Sequence, residues 1–128
     1  MKYLLDTHLL IWLAEEDARL SMDARALITH PASQLFFSVA SIWELSIKSG
    51  IHSANFRVDV ALLRTALLKS GFIELPILSR HALAVAELPL IHRDPFDRIL
   101  LAQAGVDGMI LMTVDRKIAQ YPGPILRV

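Results

Sequence analysis

Short apolar runs of strand length alternate with amphipathic stretches of helix length along this chain, and that alternation limits the folds open to it. Residues 2–5, "KYLL", read as a short buried strand. "THLLIWLAEE" follows, with Leu9, Leu10, Trp12 and Leu13 on one helical stripe. "SMDARALITH" at 21–30 reads as a helix capped by Ser21, and "QLFFSV" at 34–39 as a strand. A helix over 40–50 is closed by Gly50, and an amphipathic one over 58–70 stops at Gly71. Next come the strand "FIELPI", the helix "SRHALAVAEL" capped by Ser79, and the helix "DPFDRILLAQAG". "GMILMT" at 108–113 is a strand, "DRKIAQY" a short helix and "PILRV" a final strand. This order predicts an α/β fold with a mostly parallel central sheet flanked by helices on both faces. In such folds the ligand site lies outside the carboxyl ends of the strands.

Four acids are predicted at that edge. Asp6 directly follows "YLL", and Asp115 stands two residues after "ILMT". Glu44 lies in the first turns of the helix after "QLFFSV", and Asp97 in the first turn of the helix leading into "GMILMT". Each has an ordinary structural explanation. Asp6 and Asp115 are good N-caps, and Asp97 suits the positive end of a helix dipole. Glu44 can pair with Lys48 at i,i+4, worth a few tenths of a kcal/mol. In "HRDPFDRILLAQA", capping accounts fully for Asp94, with Pro95 at the first helical position, but only in part for Asp97. The coincidence of all four at one edge shifts the balance. Converging carboxylates repel, and hard oxygen ligands select Mg²⁺ or Mn²⁺. Such a site can activate water and stabilise a departing oxygen in phosphodiester hydrolysis.

Composition narrows the alternatives. At 128 residues and 54% hydrophobic content the chain can build one domain, residues 1–128, around one core. Only 20% of residues are charged and mean hydropathy is +0.45, an apolar excess that suits a surface covered by another subunit. The run "LLIWLA" at 9–14 is far too short to span a bilayer, and "MKYLLDTH" does not read as a signal peptide. The absence of cysteine excludes disulfides and thiolate metal sites and fits a reducing cytoplasm. Net charge is zero, which weighs against a protein that coats nucleic acid. It weighs less against an enzyme that holds phosphate through cations.

Taken in order, "YLLDTH", "SVASIWELSIK", "HRDPFDRILLAQA" and "MTVDRKIAQY" resemble the PIN domain family, most of all the VapC-type toxins of bacterial toxin–antitoxin pairs. The resemblance runs nearly end to end. It implies a PIN-like three-layer fold and a metal-dependent endoribonuclease, with Asp6, Glu44, Asp97 and Asp115 as the catalytic and metal-binding acids. These would hold one or two Mg²⁺ or Mn²⁺ ions, so that a water acidified by the ion attacks the phosphate in line. It further implies a tRNA or rRNA substrate, a cognate antitoxin whose tail lies over the active site, and a homodimer. No single general base is assigned; Asp97 and Asp115 are the candidates for orienting the water. Thr7, Ser38 and Thr113 flank the acids, either as donors that steady them or as plain caps and strand-end hydroxyls. His8 reads as structural or partner-facing and His92 as a loop residue. Arg93, Arg98, Arg116 and Lys117 either contact RNA phosphates or balance local charge. Trp12 and Trp43 read as core or interface rather than base-stacking platforms. Two other readings remain: a metal-dependent nuclease or phosphatase with another substrate, and a non-catalytic binding module whose acids only cap helices.

Overall fold

The alternation resolves into an entirely parallel five-stranded sheet. The computed structural model describes residues 1–51 and 58–128. Strands β1 (Lys2–Leu5), β2 (Gln34–Ser38), β3 (Ile73–Leu75), β4 (Ile110–Thr113) and β5 (Ile125–Arg127) lie in the order β3-β2-β1-β4-β5. All four neighbouring pairs are parallel, with Leu4 beside both Phe36 and Leu111. The chain winds outward from β1 through β2 to β3, then crosses back to place β4 on the other side of β1. Between β1 and β4 the winding reverses, and doubly wound sheets bind ligands at that crevice.

Both faces of the sheet are covered, so its strands read as apolar runs rather than as alternating ones. Alternate residues of each strand nevertheless enter different cores. Tyr3, Leu5, Phe37 and Met112 pack with Leu9, Leu10, Ala24, Leu45, Leu63 and Leu67 on one face. Leu4, Phe36 and Leu111 pack with Leu100, Leu101, Ala104 and Tyr121 on the other. The first layer is built by helices α1 (Thr7–Ala14), α2 (Met22–Thr29), α3 (Val39–Ile51) and α4 (Val60–Lys69). The second is built on α6 (Pro95–Asp107), against which α5 (Ser79–Val85) packs. This is the expected three-layer α/β arrangement. No helix among the described residues is long and apolar enough to cross a membrane.

Several boundaries differ from the sequence reading. Ser79 does not cap α5; Leu78 occupies the cap position, and its backbone N–H donates to Nδ1 of buried His81 at 3.0 Å. Gly50 does not end α3, which runs on to Ile51. Helix α6 passes through Gly105 and ends at Gly108, whose left-handed φ of 68° suits a residue without Cβ. "DRKIAQY" forms only a single 3-10 turn, Ile118–Gln120. The expected caps Asp6, Ser21 and Asp94 all accept a backbone N–H from the first turn of their helices.

Candidate active site

Asp6 leaves β1 at the winding reversal and is buried. Its Oδ1 accepts the Leu9 N–H at 2.9 Å, capping α1, while Oδ2 accepts from the Thr113 hydroxyl and from Val114 N–H at 3.3 Å. The same carboxylate thus stitches the end of β1 to the end of β4. Burial pushes its pKa up, against hydrogen bonds from Thr113, Leu9 and Val114 and the nearby His8. Thr113 also accepts the Asp115 N–H at 3.0 Å, so one hydroxyl sets the path of the chain between the two acids.

Glu44 is buried on α3, one turn past the end of β2. Its Oε2 takes Lys48 Nζ at 2.9 Å, the surface pairing expected at i,i+4. Its Oε1 lies 2.9 Å from the hydroxyl of Thr7, which is itself 2.9 Å from Ser41. Thr7 has one proton and the carboxylate has none to offer, so Thr7 donates to Glu44 and Ser41 completes the chain. The residue after Asp6 therefore holds the second acid. The hydroxyls of Thr7 and Thr113 act as donors to the acids. Ser38 does not: its hydroxyl donates to Gln103 Oε1 at 2.6 Å, tying β2 to α6.

Asp97 sits in the first turn of α6, behind the Asp94 cap that accepts the Phe96 and Asp97 N–H groups. Its Oδ2 is 2.7 Å from His92 Nε2, and that nitrogen is 3.9 Å from Asp115 Oδ2. Burial first, then the Asp94 charge, lift the Asp97 carboxyl to about 6; His92 opposes the rise and Glu44 adds to it. Asp115 is the most open of the four, and its Oδ1 accepts the Lys117 N–H at 2.7 Å.

The four acids line one edge but do not close into a single tight cluster. Among the described residues, the group of three whose ligand atoms come within 4.8 Å of one another is His92, Asp94 and Asp97. Asp6 and Glu44 are linked through Thr7, Asp97 and Asp115 through His92, and Glu44 acts on Asp97 through its charge. The donor set suits a hard divalent cation. The four acids offer only oxygen, and two of them, Asp6 and Asp97, stand where burial penalises their charge. His92 was the residue that local sequence did not single out; only its position two residues ahead of the Asp94 cap hinted at it. Arg98 is not free to contact phosphates, because its guanidinium is turned onto backbone carbonyls. Trp43 is 57% exposed and meets Phe96 edge-to-face at 5.0 Å, so it is not part of this chain's core.

Residues 3–124 match the PIN domain family. No curated protein matches the chain. Solved structures similar in fold include the following three. VapBC2 from Rickettsia felis, bound to a DNA fragment from its promoter, has a TM-score of 0.74 at 16% identity, covering 99% of this chain and 98% of that one. A toxin–antitoxin complex from Klebsiella pneumoniae gives 0.65 at 22% identity over 97% and 95%. DNA-bound VapBC from Salmonella typhimurium gives 0.65 at 17% over 99% and 98%. With a parallel sheet in the order β3-β2-β1-β4-β5, acids at its carboxyl edge and a family match over nearly its whole length, this chain belongs to the PIN domain family.

Proposed function

We propose that this protein is a Mg²⁺- or Mn²⁺-dependent endoribonuclease, the toxin of a bacterial toxin–antitoxin pair, acting in the cytoplasm as one nuclease domain. The observation that carries the reading is the arrival of four acids from four separate segments at the winding reversal, each steadied by a hydroxyl, an imidazole or a backbone donor. Capping alone accounts for Asp115, which takes one backbone N–H, but not for the hydroxyls and the imidazole that hold the other three.

Asp6, Glu44, Asp97 and Asp115 are the residues that would hold the cation. When bound, the cation supplies positive charge that acidifies an attacking water and stabilises the departing oxygen. The chain's own groups do the rest. Thr113 and Thr7 fix the directions of Asp6 and Glu44. Asp97, half-buried beside His92, and Asp115 on the other side of the same imidazole would orient the attacking water. Exposed Arg116 and Lys117, next to Asp115, attract the phosphate backbone.

The similar solved structures are toxin–antitoxin complexes, which supports a cognate antitoxin as partner. Exposed Trp43, Leu83 and Leu90 agree with cover by an antitoxin or a second copy in a homodimer. The test is cleavage of a mixed tRNA and rRNA pool by antitoxin-free protein, with Mg²⁺, with Mn²⁺ and with a chelator, beside Asp97→Asn. Discrete metal-dependent fragments, absent from the variant, are expected. No cleavage with either metal, and identical metal binding by both proteins, would return the acids to a capping role in a binding module.

A further inference from the structure

The loop between α5 and α6 carries His92 to the site, and two side chains from outside it hold it there. Tyr121, buried after the 3-10 turn, accepts the His92 N–H at 2.6 Å and donates to the His92 carbonyl at 3.1 Å. Both backbone groups of one loop residue are thus taken by a single phenol. Arg98, one residue past Asp97, donates to the carbonyls of Val85, at 3.0 Å, and Pro89, at 3.0 Å. Longer bonds reach Leu88, at 3.5 Å, and His92, at 3.4 Å. The same guanidinium donates to the Tyr121 hydroxyl at 3.2 Å. A planar fork that meets five acceptors in a half-buried place fixes the loop far more tightly than packing on Leu88 alone.

The fixed loop delivers the imidazole between two acids. Nε2 reaches Asp97 Oδ2 at 2.7 Å and stands 3.9 Å from Asp115 Oδ2. The Asp97 carboxylate can only accept, so Nε2 carries the proton. Oδ2 is thereby committed, and Oδ1 has no hydrogen-bond donor among the described residues. An unconstrained aspartate in the first turn of a helix would rotate about χ2 among near-equal orientations.

We infer that His92 is a positioning residue of the site, orienting Asp97 beside Asp115, and that Arg98 and Tyr121 form a clamp whose purpose is to place it. This rests on the nuclease reading for its kinetic test, but not for its spectroscopic one. Partners that orient such groups are worth ~10–100-fold in activity or metal affinity. His92→Ala is expected to lower kcat by ~10–100-fold with little change in KM, and His92→Gln, which keeps an N–H donor, to recover part of the loss. Tyr121→Phe, close in volume and so able to fold, is expected to lower kcat in the same direction. The double variant Tyr121→Phe/His92→Ala is expected to be no slower than His92→Ala, because both act through one imidazole. Wild-type kcat in His92→Ala, a loss confined to KM, or losses that multiply in the double variant would overturn the inference.

A second readout needs no cleavage. In proton NMR of the intact protein, the His92 Nε2–H should give a slowly exchanging downfield signal, assigned by its loss in His92→Gln. It is expected to vanish in Asp97→Ala and to shift or broaden in Tyr121→Phe. Should the wild type cut no RNA with either metal and bind metal no better than Asp97→Asn, yet show this signal, the nuclease reading falls and the positioning of Asp97 by His92 stands. A wild type without the signal, or a signal indifferent to Tyr121→Phe, refutes the clamp.

Discussion

Removing the charge of Asp97 should make this protein more stable, and the gain should depend on pH. The carboxyl is lifted from 3.8 to about 6, chiefly by burial and then by Asp94. An acid with a raised pKa in the folded state keeps its proton where the unfolded chain has lost it. Below pH ~4 both states are protonated and nothing is lost. As pH rises through the interval up to about 6, the folded state loses ground, and above it the deficit is constant. At about 1.4 kcal/mol per pKa unit, the full deficit is at most ~3 kcal/mol, less whatever water at the partly open edge screens. An asparagine in its place would imitate the neutral acid, retaining an oxygen for His92 without the charge. Asp97→Asn is therefore expected to raise stability by up to ~3 kcal/mol at pH 8, or roughly 10 °C in Tm for a chain of this size, and by nearly nothing at pH 4. Urea unfolding of both proteins at the two pH values, in chelator, measures it. A variant less stable than wild type at pH 8, or an equal gain at both values, would refute the argument. A confirmed gain would mark Asp97 as a group kept for chemistry at the expense of the fold.

Other consequences can be checked with the same methods. Adding Mg²⁺ or Mn²⁺ at pH 8 should stabilise the wild type by ~2.7 kcal/mol at a hundredfold excess over its Kd, read as a higher Tm, and should stabilise Asp97→Asn less. Thr113→Val removes the hydroxyl that serves both Asp6 and the Asp115 N–H, and should cost about 1–3 kcal/mol in urea unfolding; an unchanged midpoint would show the strand ends are held otherwise. Gln103→Leu leaves the buried Ser38 hydroxyl, which still accepts the Ala40 N–H, without an acceptor for its proton, and leaves the Pro76 carbonyl without its donor; it should cost a similar amount, whereas a neutral result would mean that the layer relaxes around it. Gly108→Ala forces a Cβ into a left-handed conformation and should cost roughly 1–2 kcal/mol, with thermal unfolding as the measure.

Much of the fold is written locally. Apolar runs such as "KYLL" and "ILMT" have strand length and no polar face, which only a doubly covered sheet accommodates. Asp6, Ser21 and Asp94 announce helix starts because a cap is a contact within three residues. The reading fails where the deciding interaction is distant or the local signals compete. "DRKIAQY" has a helical cap and stripe, yet it forms one 3-10 turn that buries Ile118 and seats Tyr121 on the His92 loop. Gly50 and Gly105 look like stops, but a glycine ends a helix only when φ turns positive, as at Gly108.

The site divides in the same way. By itself the sequence determined that four acids would stand at one edge of a parallel sheet, since strand ends and first helical turns are local features and the winding rule puts them together. Only the tertiary structure decided how each acid is held: Asp6 by a residue 107 positions away, Glu44 by one 37 away, and Asp97 by an imidazole that a distant phenol keeps in place. It also decided which acids are burdened by burial, because desolvation depends on everything packed around a carboxylate and not on its neighbours in the chain.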